Sequence, residues 1–204
     1  MIRPATDSRG SRLASPTITI FDLEYTAWEC SMARHWLTPG EFREVVQIGA
    51  VRLDADSFAI VDEFEALVLP RINPVLSPYL EKLTGITRQK IARDGQDFAA
   101  AYAGFLAFAG EGPIAAFGRD DRALQDNLRL YGMTGAHPLP VFYDLRGWFA
   151  ALGVDPRGMH SCDLAPALGL PFRGRAHNAL DDARSVAGVM AALAARGTRL
   201  RPAA

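Results

Sequence analysis

The sequence predicts an α/β protein with a mixed sheet flanked by helices. Three observations carry that expectation. Residues 17–24 form a strand-like run, Thr17-Ile18-Thr19-Ile20-Phe21-Asp22-Leu23-Glu24. Two further strand-like runs, at 45–53 and 59–69, flank the turn Asp54-Ala55-Asp56-Ser57 as an antiparallel hairpin. Beyond residue 98 short apolar strands alternate with helical stretches, which is the pattern of a layered α/β domain.

The elements follow in order. After the first strand, residues 25–44 mix aromatics with Pro39 and Gly40 and read as a long surface excursion. The hairpin comes next, then a loop at 70–78 and a short helix at 79–83 stopped by Gly85. Residues 98–109 place Tyr102, Phe105, Leu106 and Ala109 at helical spacing. A buried strand at 113–117 leads to a helix at 120–131, and a strand at 140–143 leads to a helix at 144–152. A short helix at 163–168 precedes the last, at 178–195. This makes five strands in one domain, 17–196, between a disordered tail at 1–16 and a second tail at 197–204.

With 204 residues the chain can bury a substantial core, and a formal net charge of -1 excludes a global basic field for a long nucleic-acid footprint. Gripping only a strand end needs no such field. Cys30 and Cys162 are too few for a disulfide framework, which fits a reducing compartment. No apolar run approaches the roughly 18 residues of a membrane helix, so no membrane partner and a cytoplasmic location are expected.

Three acidic patches stand out: Asp22-x-Glu24, Asp120-Asp121, and His177 with Asp181-Asp182. Strand alternation projects Asp22 and Glu24 to one side above Ile18 and Ile20. Two carboxylates on an apolar strand repel each other and lose solvation, so they require a cation. Oxygen donors suit magnesium or manganese better than zinc. In the last helix Asp182 shares a stripe with Val186, Val189 and Leu193, whereas Asp181 lies with Ser185 and Gly188, so Asp182 is the buried candidate. In the middle helix Asp121 lines up with Leu124, Leu128 and Tyr131, while Asp120 lines up with Asn127 and is equally suited to a helix cap. This favours Asp121 without closing the choice. His177, five residues before Asp182 on a segment free to move, is suited to take a proton from water. His35, His137 and His160 have no acidic partner at such spacing and read as structural or surface residues.

Together these patches resemble the DEDDh branch of the DnaQ-like 3'–5' exonuclease superfamily, which carries Asp-x-Glu, Asp and His-x4-Asp motifs. The resemblance spans about 17–195. Asp22-Leu23-Glu24-Tyr25-Thr26-Ala27-Trp28-Glu29 is most similar to the RNase T/Eri-type exoribonucleases, as are Gln47-Ile48-Gly49-Ala50-Val51 and Leu83-Thr84-Gly85-Ile86-Thr87. Phe117-Gly118-Arg119-Asp120-Asp121 resembles a Trp-Gly-x-x-Asp motif, which selects Asp121; the Gly-x-Asp of oligoribonuclease-like members would select Asp120.

The resemblance implies an RNase H-like core and 3'-end hydrolysis with two divalent ions, Mg2+ or Mn2+, held by Asp22, Glu24, Asp121 and Asp182. With His177 as general base, nucleoside 5'-monophosphates would leave one by one. The partners implied are single-stranded RNA or DNA 3' ends, RNA favoured, and a homodimer is compatible. Backbone groups from Glu24 through Tyr25 to Thr26 are expected to approach the terminal nucleotide. Trp28, Leu83 and Ile86 are expected to stack on or wedge its bases, with core packing as the alternative for Leu83 and Ile86. Arg88, Lys90, Arg173 and Arg175 are the expected basic rim. A DNA exonuclease of proofreading or repair shares the same motifs, and a catalytically silent scaffold is the alternative outside enzymes.

Overall fold

Strand β1 (Thr17–Tyr25) is the spine on which everything else is laid. It pairs antiparallel with β2 (Val45–Asp54), and β2 pairs antiparallel with β3 (Ile60–Leu67). On its other side β1 runs parallel to β4 (Ile114–Ala116), which runs parallel to β5 (Phe142–Asp144). The mixed five-stranded sheet therefore has the order β3-β2-β1-β4-β5. This computed structural model describes residues 17–135 and 139–197; the expected tails at 1–16 and 198–204, and His137, lie outside the described residues.

Seven helices cover the sheet among the described residues: α1 (Pro78–Thr84), α2 (Arg88–Asp94), α3 (Phe98–Ala109), α4 (Asp120–Leu130), α5 (Leu145–Ala151), α6 (Ser161–Ala167) and α7 (Ala179–Ala195). Their ends follow local chemistry. Ser77 caps α1 by accepting from the Leu80 N–H, Pro78 opens its first turn, and Gly85 closes it in the left-handed conformation. The α2 helix had no signature in the sequence, because Arg88-Gln89-Lys90-Ile91-Ala92-Arg93-Asp94 buries only Ile91. None of these helices is long and apolar enough to cross a membrane.

The alternation of β1 divides the core. Phe21 and Leu23 face α3 and α4, packing with Phe98, Tyr102, Phe105, Leu124 and Leu128. Ile20 faces the opposite layer of Phe149, Leu164, Val186, Val189 and Met190 from α5, α6 and α7. A smaller cluster of Val46, Leu67, Leu76, Leu80, Ile86 and Ile91 seats α1 and α2. One buried carboxylate organises the loops at the open end of the sheet. Glu44 accepts from the successive backbone N–H groups of Arg71, Ile72 and Asn73 at 2.7, 2.8 and 2.6 Å, and from the Tyr131 hydroxyl at 2.7 Å.

Candidate active site

The end of β1 supplies the first two carboxylates. Asp22 and Glu24 continue the face of Ile18 and Ile20, and both are buried. Asp22 is held by the Ser161 hydroxyl, which donates to its Oδ1 at 2.6 Å from the first turn of α6. Burial pushes the Asp22 carboxyl up to about 8, the Asp182 charge adds to this, and the Ser161 bond opposes it. Glu24 is raised well above the usual carboxylate range by burial and then by Asp22, Asp182 and Asp120.

The third contributor arrives because the sheet has a notch. At Gly49 an added Cβ would lie 2.1 Å from the Leu180 nitrogen and 2.3 Å from the Ala179 carbonyl carbon, so only glycine lets α7 dock on β2. The Gln47 side chain seals the contact, accepting from the Ala179 N–H at 3.0 Å and donating to Glu65 at 2.7 Å. Asn178 caps α7 by accepting from the Asp181 N–H. Docked this way, α7 aims Asp182 into the site at 3% exposure, while Asp181 pairs with Arg184.

Asp182 Oδ2 accepts from the His177 backbone N–H at 3.2 Å, whereas Oδ1 is buried without a hydrogen-bond partner. Burial raises the Asp182 carboxyl to about 7, against the His177 N–H bond. One ligand atom each from Glu24, His177 and Asp182 lie within 4.8 Å of one another. His177 adopts a left-handed backbone, φ 60°, which is strained for a residue with a Cβ. Its loop is tied rather than loose: the Arg175 N–H donates to Asp181 and the Arg175 guanidinium to the Lys82 carbonyl. Burial lowers the His177 imidazole below its ordinary value, and the neighbouring His160, with ring centroids 5.6 Å apart, pushes the same way.

The structure brings Asp120, rather than the expected Asp121, to the cavity. Asp120 lines the cavity with Asp22, Glu24, Asp182 and His177. Its side chain is only partly withdrawn from solvent, yet its carboxyl is raised well above the usual range by desolvation and by Asp22, with Arg146 and Arg43 opposing. Asp121 instead makes a two-pronged ion pair with Arg119, at 2.8 and 2.7 Å, which lowers its carboxyl, and it lines a separate recess. The placement turns on Asn127, a polar residue that stands on the inward face of α4. Asn127 is fully buried, accepting from the Val45 N–H and donating to the Arg43 and Ala123 carbonyls. With Asn127 counted, the inward face of α4 is Ala123, Leu124, Asn127 and Leu128, and at roughly 100° per residue Asp120 sits at its centre.

These groups open into a cavity of about 710 Å³. Of the expected substrate contacts, Tyr25, Trp28 and Leu83 line it. Thr26 does not: it is buried, and its hydroxyl donates to the Phe42 carbonyl while accepting from the Glu44 N–H. Ile86, at 1% exposure, is core packing with Leu80 and Ile91. The expected basic rim is also displaced, since Lys90 faces Glu65 and none of Arg88, Lys90, Arg173 and Arg175 lines the cavity. Arg43, Arg119, Arg146 and Arg157 do, as do His35 and His160. Only the helix-start pattern His160-Ser161-Cys162-Asp163, where the His160 N–H donates to Asp163 at 2.8 Å, hints at His160 and Ser161 in the sequence.

The donor set fits divalent cations. Clustered carboxylates raised above their usual range by burial, and the orphaned Asp182 Oδ1, are the marks of an oxygen-rich cation site.

The fold and site define a class: acid-lined, RNase H-like nucleases of the DEDDh type. The family profile described as "Exonuclease" (RNase T) matches residues 19–190. The chain belongs to this exonuclease family. Among solved structures, the nuclease domain of 3'hExo, described as a DEDDh family member bound to rAMP, superposes with a TM-score of 0.77 at 23% identity, over 96% of this chain and 98% of that one. Cell-death related nuclease 4 (CRN-4) gives 0.72 at 22%, over 90% and 65%. Escherichia coli exonuclease I in complex with single-stranded DNA gives 0.64 at 19%, over 90% and 41%. ERI1 exoribonuclease 2 of Danio rerio is 35% identical over 74 residues, a match spanning 36% of this chain and 12% of that protein.

Proposed function

We propose that the enzyme removes nucleotides from the 3' end of single-stranded nucleic acid, RNA in preference to DNA, releasing nucleoside 5'-monophosphates. The observation that carries this reading is the convergence of Asp22, Glu24, Asp120, Asp182 and His177 on one cavity with an open mouth. In this reading Asp22, Glu24, Asp120 and Asp182 hold two magnesium or manganese ions. Such ions, when bound, acidify water and neutralise phosphate oxygens.

The chain's own residues do the rest. Ser161 fixes the rotamer of Asp22. The His177 backbone N–H orients Asp182, and its imidazole, lowered below its ordinary value by burial and by His160, accepts the proton of the attacking water. Trp28 and Leu83 offer apolar surfaces for the terminal base, and a stacking contact of this type is worth around 1–3 kcal/mol. Similarity to an Eri-type exoribonuclease supports RNA, although the first motif serves either sugar.

The test is parallel digestion of end-labelled single-stranded RNA and DNA with magnesium, manganese and chelator arms, with products weighed by mass spectrometry. The expected result is a ladder of shortened RNA and 5'-monophosphates, abolished by chelator. Faster loss of DNA would reverse the preference, and internal fragments or released inorganic phosphate would overturn the reading.

A further inference from the structure

Beside the catalytic cavity runs a second groove of about 780 Å³, lined by Arg43, Arg119, Arg122 and Arg129 together with Trp36 and Gln125. The two hollows share a wall made of His35, Trp36, Arg43 and Arg119, so they form one continuous path. Each is lined by four arginines, and they differ in the acids set against them. The cavity gathers four carboxylates, whereas the groove sets four guanidinium groups against the carboxylates of Glu41 and Asp126. Glu41 is already paired from outside the groove by Arg34, and Asp126 is shared between Arg43 at 2.6 Å and Arg129 at 3.4 Å. Arg122 is exposed and has no ion-pair partner among the described residues.

The junction is built to hold shape. The Arg43 guanidinium lies over the rings of Tyr25 and Trp36, at 5.4 and 5.5 Å from their centroids. The Trp36 indole N–H donates to the Thr26 carbonyl at 2.8 Å, and Asp121 grips Arg119 with both oxygens. Asp121 thus lies beside the chemistry without entering it, orienting one of the two arginines that both hollows share. A near-neutral chain has concentrated positive charge along one path leading from its most acidic pocket. An anionic polymer that ends in the pocket, once its cations are bound, meets guanidinium groups at successive steps outside it.

We infer that this groove carries the sugar–phosphate backbone of the nucleotides immediately upstream of the 3' end, with Arg122 and Arg129 contacting phosphates beyond the reach of the cavity. The inference rests on the proposed action at 3' ends and adds the route by which the strand enters. It also gives the enzyme a grip that depends on strand length and ignores base identity.

The test separates the groove from the chemistry by reading binding and hydrolysis independently. Affinity is measured by fluorescence anisotropy with calcium present, for a dinucleotide and for a single strand of about 12 nucleotides. The R122Q/R129Q double variant should bind the longer strand roughly tenfold more weakly and reduce the salt slope by about 1.4, two single-strand phosphate contacts. Binding of the dinucleotide, and hydrolysis of the p-nitrophenyl ester of thymidine 5'-monophosphate, should match the parent enzyme. An R93Q/R196Q variant, which removes the same charge from exposed sites elsewhere, should bind the longer strand normally. Equal weakening at both lengths, equal weakening by the remote pair, or no weakening at all would overturn the groove. A parent enzyme that binds strands along the groove but never shortens them would refute the proposed function alone.

Discussion

At the scale of single residues, the two adjacent aspartates of α4 give the sharpest division. D120N should reduce cleavage of single-stranded RNA by more than about 100-fold, the upper range for groups that merely support a metal ligand. D121N, measured in the same assay, should stay within about tenfold of the parent, because it only loosens Arg119. The reverse order would return the site to Asp121. H177Q should slow hydrolysis by about 10²–10⁴-fold. Because burial lowers the His177 imidazole, the parent's rate should fall on acidification only below the ordinary histidine range, and this limb should vanish in the variant. Asp22, Glu24, Asp182 and His177 were legible from alternation, helix stripe and spacing. Asp120 was not, because the buried polar Asn127 disguised the inward face of its helix as an outward one. The helix-start pattern marks Ser161 only as part of a cap, and nothing local marks its bond to Asp22, far away in sequence, or the arginines that line the cavity.

At the scale of elements, the hairpin, the α3 and α7 helices and the parallel strands were legible because apolar residues mark each of them. The α2 helix lacked any such period, and Ile86 was ambiguous until the α1–α2 cluster showed what it packs against. Docking of α7 depends on one missing side chain. G49A should force the Ala179–Leu180 backbone away from β2 and destabilise the fold by about 1–3 kcal/mol, readable as a lower denaturation midpoint. Activity should fall further than stability alone explains, since the same shift withdraws His177 and Asp182 together. A variant with parent-like stability and rate would show that the docking is slack.

At the scale of the whole molecule, the acid cluster links pH to stability. In the metal-free fold Asp22 and Asp182 hold their protons to about 8 and about 7, above the ordinary aspartate value of 3.8. The folded chain then binds more protons than the unfolded chain from about pH 4 to about pH 8. Their contribution to stability is complete below that window and is lost as pH rises through it. Thermal melts of chelated protein should therefore show Tm declining toward pH 8, with the gain from added magnesium widening over the same range. A chelated protein that becomes steadily more stable up to pH 8, with no response to magnesium, would contradict the cation site.

The Glu44 clasp has its own consequence for time scales. Side chains of Arg71 and Ile72 face solvent in a connecting loop, where amide protons ordinarily trade with water quickly. Here a single carboxylate stitches three neighbouring amides to the root of the sheet and to the tail of α4, so their deuterium uptake should be as slow as that of the strands. A loop dressed as surface would then keep the clock of the interior, opening only when the underlying framework does.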